Sequence, residues 1–214
     1  MSDLPTVRDY WDAASSGFDA EADHGLGDPA VRQAWADCLS RWLPTPPADV
    51  LDAGCGTGSL SRLLAGAGHH VVGVDVSARM IERARAKCPA PACRFVVGDA
   101  ADPPVAGSRF DVVLSRHLLW TLPDPAGVLR RWTQRLRPGG RLVLVEGRWG
   151  HGAAPPEPYA DTDAALPWLG GVGADTLGEA VRPLVAGLAV EPLPDPRLWG
   201  QRIDDERYAL VATL

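Results

Sequence analysis

Residues 50–60 read VLDAGCGTGSL. An apolar run carrying one aspartate passes into three glycines at alternate positions, Gly54, Gly56 and Gly58. The stretch reads as a buried strand handing over to a helix through a bare turn. Glycine tolerates positive φ and leaves the main chain open to a ligand. The helix beginning near Thr57 to Ser59 points free N–H groups at the same place. The turn therefore suits negative or acceptor groups, such as a nucleotide phosphate or an amino-acid carboxylate. A dinucleotide fingerprint expects its third glycine one residue later, at position 59, where this chain has serine. Asp52 puts a carboxylate at the turn, which would repel a pyrophosphate and attract an ammonium group. A ligand carrying both carboxylate and ammonium fits better.

Outward from this turn the chain keeps a regular rhythm. HVVGVDV (70–76), CRFVVGD (93–99), RFDVVLS (109–115) and RLVLVEG (141–147) read as further strands. GSLSRLLAGAG (58–68) reads as a helix, as does ARMIERARAKC (78–88) behind the cap Ser77. PAGVLRRWTQRLRPGG (125–140) puts Val128, Trp132 and Leu136 on one helical face. Upstream, Asp28 and Pro29 form an N-cap and first-turn pair before Val31, Trp35, Leu39 and Trp42 at helical spacing. That helix stops at Pro44, and residues 5–20 are expected to add a short one. Continuous apolar strands fit burial on both faces, so residues 48–147 predict an open parallel α/β sheet. After Gly147 the rhythm breaks into a Gly-, Pro- and Trp-rich stretch. A helix near 175–187, divided at Pro183, and two closing strands, AVEPLP (189–194) and RYALVATL (207–214), complete the chain.

The 214 residues suit one domain. A net charge of -6 and the lack of a Lys/Arg block argue against a nucleic-acid partner. No apolar run approaches the length of a membrane span, and the opening residues carry acids with no apolar h-region, so a cytoplasmic protein is expected. Lys87 is the sole lysine; abundant Arg, Ala, Gly, Pro and Trp point to a GC-rich bacterial genome. Cys38, Cys55, Cys88 and Cys93 form no CxxC pair and lack histidines at zinc spacing, so no metal site is expected. Free thiols in a reducing cytosol are the favoured reading, with a Cys88–Cys93 disulfide as the alternative.

In a doubly wound sheet, ligands bind beyond the carboxyl ends of the strands. Asp75 ends the second strand and can take both hydroxyls of a ribose. Asp99 and Ala100 follow the third strand and can pair with an adenine amine. The rim would then accept an amino acid, a ribose and an adenine in that order.

On these residues the chain resembles the class I S-adenosylmethionine-dependent methyltransferases, in their small-molecule branch. VLDAGCGTGSL resembles the family's first motif, VVGVDVS the second and GDA the third. FDVVLSRHLLWTLPDP is similar to its fourth-strand segment and LRPGGRLVLVEG to its fifth. The resemblance implies a Rossmann-like doubly wound sheet of seven strands, the last antiparallel, with helices on both faces and an N-terminal helical lid. It implies one domain: a lid or cap over 1–45, a cofactor-binding core over 48–147, a variable acceptor-side linker over 148–175, and a closing helix and strands over 176–214. The cofactor would be S-adenosyl-L-methionine. Gly54, Gly56 and Gly58 would line its methionine part, with Ser115 and Arg116 bordering that end. Asp75 would bind ribose, with Val76 beside it, and Asp99 and Ala100 would hold adenine. Cys55 is small enough to be tolerated in the turn, and Met80 would pack at the adenine edge. YWDAASSGFDA (10–20) is similar to lid segments of small-molecule members, so Tyr10 or Trp11 would cover the cofactor.

His117 directly follows Arg116 and is the candidate catalytic base, near neutrality in ordinary pKa; the alternative is that it only packs there. His151 and His24 are weaker candidates, and His69 and His70 open a strand at the far end. Trp120, Trp149 and Trp168 are pocket walls or loop packing, whereas Trp35, Trp42 and Trp132 belong to the core. The expected acceptor is a small organic metabolite, compact and partly aromatic, in bacterial secondary metabolism. A monomer or homodimer is expected. Two other readings stand beside this one: a cofactor-binding protein that transfers no methyl, and a nicotinamide-dependent oxidoreductase.

Overall fold

In the computed structural model, which describes residues 4–149, 160 and 165–214, the alternating segments build one seven-stranded sheet. Its strands are β1 (Asp49–Ala53), β2 (His70–Asp75), β3 (Cys93–Val97), β4 (Phe110–Arg116), β5 (Leu136–Arg148), β6 (Gly187–Pro192) and β7 (Glu206–Thr213). The order is β3-β2-β1-β4-β5-β7-β6. Strands β1 to β5 pair in parallel, and β7 lies antiparallel between β5 and β6. The topology reverses between β1 and β4, which opens a crevice above their carboxyl ends.

Among the described residues, six helices flank the sheet: α1 (Leu4–Ala14), α2 (Pro29–Trp42), α3 (Ser59–Gly66), α4 (Ala78–Lys87), α5 (Pro125–Gln134) and α6 (Ala174–Val181). Neighbouring strand residues divide between two cores. Val50, Val112, Leu114, Val143 and Val145 pack with Trp35, Leu39, Leu64 and Ile81 on one face. Leu51, Val113, Leu142 and Leu144 pack with Val128, Leu129, Trp132 and Leu177 on the other. Both side-chain directions are therefore buried, which is why these strands read as unbroken apolar runs. Polar caps fix three helix starts. Asp28 accepts the Ala30 N–H at 2.6 Å, Ser77 the Met80 N–H at 3.0 Å and Asp124 the Gly127 N–H at 2.8 Å. Each such cap contributes about 1 kcal/mol.

The structure departs from the sequence expectations at three elements. Leu136 does not share a helical face with Val128 and Trp132: α5 ends at Gln134, and Leu136 starts β5 opposite Phe110. The N-terminal helix ends at Ala14, and a separate 3-10 turn covers Phe18–Ala20. Cys88 and Cys93 are joined in a disulfide, against the expectation of four free thiols. The end of α4 and the start of β3 flank a short connection, so the two Cα atoms stand 5.9 Å apart, within disulfide reach. Cys38 and Cys55 are free and buried. Among the described residues, no helix is long and apolar enough to cross a membrane, and no group of three His, Cys, Asp or Glu could hold a metal ion.

Candidate functional site

A cavity of about 570 Å³ opens over the carboxyl ends of β1, β2 and β4. Its floor is the glycine turn. Gly54, Gly56 and Gly58 have φ of 74, 52 and 77°, a region that side-chain-bearing residues rarely adopt. A Cβ on Gly54 would stand 2.9 Å from Leu118, and one on Gly58 would stand 2.8 Å from the Ala84 Cβ. The turn is tied back to β2, because Gly54 and Cys55 donate N–H to the Val74 carbonyl at 2.9 and 3.0 Å.

Asp75 completes that link. Its two carboxylate oxygens accept the Gly56 N–H and the Ser77 N–H, both at 2.9 Å. Burial pushes its pKa up to about 6, so it is largely ionised at neutral pH, with lone pairs left on each oxygen. Farther along the rim, Asp99 accepts the Ala101 N–H at 2.8 Å on one oxygen. Val76, Met80, Asp99, Ala100 and Ala101 line this end of the cavity.

The N-terminal segment closes over the turn. Phe18 stacks on His24 at 4.3 Å, meets Trp11 edge-on, and approaches within 3.5 Å of the place a Gly56 Cβ would occupy. Polar anchors hold it down. Asp12 accepts from the Ser77 hydroxyl and the Arg79 N–H. Asp19 accepts from Thr57 Oγ1 and from Lys87 Nζ, each at 2.6 Å. Lys87 also donates to Thr57 and Ser59 at the start of α3, at 2.7 and 3.0 Å. Arg207 reaches Asp23 at 3.2 Å, and Arg116 donates to the His24 carbonyl at 2.9 Å.

The opposite end of the cavity is aromatic and cationic. Arg207 lies between the rings of Trp149 and Trp199, at 5.1 and 4.8 Å, and is neutralised by Asp205 at 2.7 Å. His117 stacks on Trp199 at 5.6 Å and lies 5.0 Å from Trp149, while its carbonyl accepts the Trp120 indole N–H at 2.9 Å. Its φ of 54° makes it the one non-glycine residue with positive φ among those described, a conformation that costs about 1–3 kcal/mol. Burial, with Arg116 and Arg207 nearby, holds its pKa well below the usual 6.5, so the ring is neutral at pH 7. Arg116 lies over Trp35, and burial lowers its pKa to about 10, which leaves it charged. Its Nη1 and the His117 Nε2 are buried with no partner among the described residues.

The cavity brings together Trp11, Gly54, Gly56, Asp75, Val76, Met80, Asp99, Ala100, Arg116 and His117 from the sequence-predicted set. Five others stand outside its lining. Asp52 faces α3, where Ser61 donates to it at 2.6 Å, and burial raises its pKa to about 6. Ser115 turns to the Ala53 carbonyl at 3.0 Å. Cys55 packs in the α2-side core, Gly58 caps α3, and Tyr10 is exposed and meets Trp11 edge-on. Of the tryptophans after β4 and β5, Trp120 and Trp149 are cavity walls, whereas Trp168 packs on the α5-side core. His24 lines the cavity; His151 lies outside the described residues. Sequence reasoning missed Phe18, Asp23, Leu118 and Arg207, which line the site, and Glu146 just behind it. Glu146 alone left a signal, a carboxylate inside the apolar run LVLVEG.

Residues 51–144 match a family described as a methyltransferase domain. A demethylmenaquinone methyltransferase of Clavibacter sepedonicus is 34% identical over 142 residues, 65% of this chain and 57% of that protein. An O-methyltransferase, cnsE, of Penicillium expansum is 33% identical over 142 residues, 64% of this chain and 49% of that protein. The chain thus spans about half to three-fifths of the length of these curated relatives. In structure it is similar to magnesium protoporphyrin IX methyltransferase of Synechocystis, solved with bound S-adenosylhomocysteine. That likeness has a TM-score of 0.71 at 21% identity and covers 99% of both chains.

Proposed function

We propose that this chain, which belongs to the class I S-adenosylmethionine-dependent methyltransferases, transfers a methyl group from S-adenosyl-L-methionine to a small organic acceptor. One observation carries the reading. A single cavity joins a bare glycine turn and two rim carboxylates at one end to a neutral histidine among tryptophans at the other.

The residues present fit the cofactor. Gly54 and Gly56 leave room for its methionine part, and the unpartnered Nη1 of Arg116 suits the methionine carboxylate. Asp75, already fixed by two N–H groups, has free lone pairs for the ribose hydroxyls. Asp99 and Ala100, flanked by Val76 and Met80, take the adenine. Asp52 is a scaffold carboxylate in this reading, because its hydrogen bond goes to Ser61.

When bound, the sulfonium supplies an electrophilic methyl group, so the protein's main tasks are alignment and exclusion of water. Trp11 and Phe18 exclude water from above the turn. Trp120 and Trp149 give the acceptor end flat walls that suit a partly aromatic molecule. Neutral His117 offers a ring nitrogen that can accept a hydrogen bond from an O–H or N–H acceptor and orient it, while the burial and cationic neighbours that keep the ring neutral make it a weak base. Residues 48–147 then form the cofactor part, with residues 1–45 as its lid.

The test is calorimetry with S-adenosylmethionine and S-adenosylhomocysteine on wild type and Asp75→Ala, followed by product analysis with labelled cofactor and aromatic metabolites. No binding by wild type overturns the reading. Equal affinity in Asp75→Ala removes the ribose assignment. Binding with no label transferred to any acceptor favours a non-methylating role for the same site.

A further inference from the structure

Glu146 lies in β5, is fully buried, and does not line the cavity. Its neighbours in the strand, Leu142 to Val145, are all apolar and buried. An apolar side chain would fill this position without the desolvation cost of a carboxyl group, so its hydrogen bonds indicate its role. One oxygen, Oε1, accepts two main-chain N–H groups, from Leu118 at 3.1 Å and Leu119 at 2.9 Å. The other, Oε2, has no partner among the described residues.

Both N–H groups belong to the turn by which the chain leaves β4. That turn starts at His117, in the left-handed region at φ 54°. The main-chain bonds that hold it include His117 to the Val145 carbonyl at 2.9 Å, Thr121 to the Leu118 carbonyl at 2.9 Å and Leu122 to the Leu119 carbonyl at 3.3 Å; none of them uses the Leu118 or Leu119 N–H. Two parts of the site hang from it. Leu118 packs against Gly54, where a Cβ would stand 2.9 Å away. His117 sets its ring against Trp149 and Trp199 and fixes Trp120 through its carbonyl.

We propose that Glu146 is a positioning residue, whose Oε1 fixes the 117–119 turn and so sets Leu118 against the methionine half of the cofactor site. The inference rests on the cofactor reading and extends it to a residue behind the cavity wall. The nucleoside half of the site, at Asp75 and Asp99, is built from β2 and β3 and does not depend on this turn. Loss of Glu146 therefore weakens ligands that reach the methionine half and spares those that stop at the nucleoside.

Calorimetric titration with S-adenosylhomocysteine and with adenosine, on wild type, Glu146→Gln and Glu146→Leu, tests this. Glutamine keeps a carbonyl oxygen for both N–H groups and should bind S-adenosylhomocysteine within about threefold of wild type. Leucine removes the acceptor and should lose about tenfold or more for S-adenosylhomocysteine, with adenosine affinity unchanged. Glu146→Ala, which admits water to the two amides, is the second variant if leucine prevents folding; an intermediate loss confined to S-adenosylhomocysteine is expected. Unchanged S-adenosylhomocysteine binding in Glu146→Leu or Glu146→Ala overturns the proposal. So does a parallel loss for both ligands, or a glutamine variant as weak as leucine. Wild type that binds neither ligand overturns the cofactor reading and this inference with it.

Discussion

Replacing Glu146 by glutamine should change how stability depends on pH. Burial pushes the Glu146 pKa from its ordinary 4.5 up to about 8. A raised folded-state pKa on an acid contributes stability that is present below the unfolded value and is lost as pH rises through the folded value. Across that window the unfolded chain releases a proton that the folded chain keeps. The rise from 4.5 to about 8, at about 1.4 kcal/mol for each tenfold change in the ionisation constant, gives about 5 kcal/mol in full. Between about pH 5 and pH 9 the part lost is about 4 kcal/mol, an upper bound because water reaching the site lowers it. Glutamine cannot ionise and keeps the carbonyl that accepts from Leu118 and Leu119. Its amide takes the place of Oε2, which also lacks a partner among the described residues, so that offset is the same at every pH. Urea unfolding of both proteins, followed by circular dichroism in steps from pH 5 to pH 9, isolates the effect. Asp52 and Asp75, each raised to about 6, and the depressed His117 cancel in the difference between the two proteins. The variant should gain on wild type by up to about 4 kcal/mol as pH rises, on the order of 10 °C in Tm for a domain of this size. A difference that stays constant with pH would refute the argument.

Other consequences can be checked as directly. Gly58→Ala forces a side chain into φ 77° and within 2.8 Å of the Ala84 Cβ, so it should cost about 2 kcal/mol or more, read as a lower melting temperature. Lys87→Met keeps the apolar stem and removes the bonds to Asp19, Thr57 and Ser59; chymotryptic cutting at Phe18 should accelerate about tenfold, and an unchanged rate would deny the anchor its role. In the proposed ribose site Asp75 accepts best as the carboxylate, so cofactor affinity should weaken below its pKa of about 6, by up to about tenfold per pH unit; calorimetry at pH 5 and pH 7 decides it.

The middle of the sheet was legible because both faces of β1, β4 and β5 are covered, which turns these strands into apolar runs; the edge strand β6 is largely exposed. Two helix starts were legible because Asp28 and Ser77 act locally, within three residues of the groups they cap. Residues lining the cavity were legible where the main chain alone places them, as at Gly54, Gly56 and Asp75. They failed where the face of a strand decides. Asp52 ends a strand at the rim, but its side chain points to α3 and meets Ser61. Ser115 likewise turns back to Ala53. Contacts between distant segments left no local pattern: Asp23 and Arg207 are 184 residues apart in sequence, and each reads alone as an ordinary surface charge. The end of α5 was misjudged because Leu136 keeps the helical spacing of Trp132 while its backbone already pairs with Phe110.

Lys87 is the sole lysine of the chain, and its amine is half-buried under Asp19, Thr57 and Ser59. Apart from a terminal amine, an acylating reagent selective for amines has one nucleophile to find. Burial lowers the Lys87 pKa while the segment is closed; once the amine is uncovered that cause is gone, and it reacts as an exposed lysine does. The labelling rate of a single site, followed by mass, would then count how often the segment around Asp19 lifts from the turn, with no engineered probe in the protein.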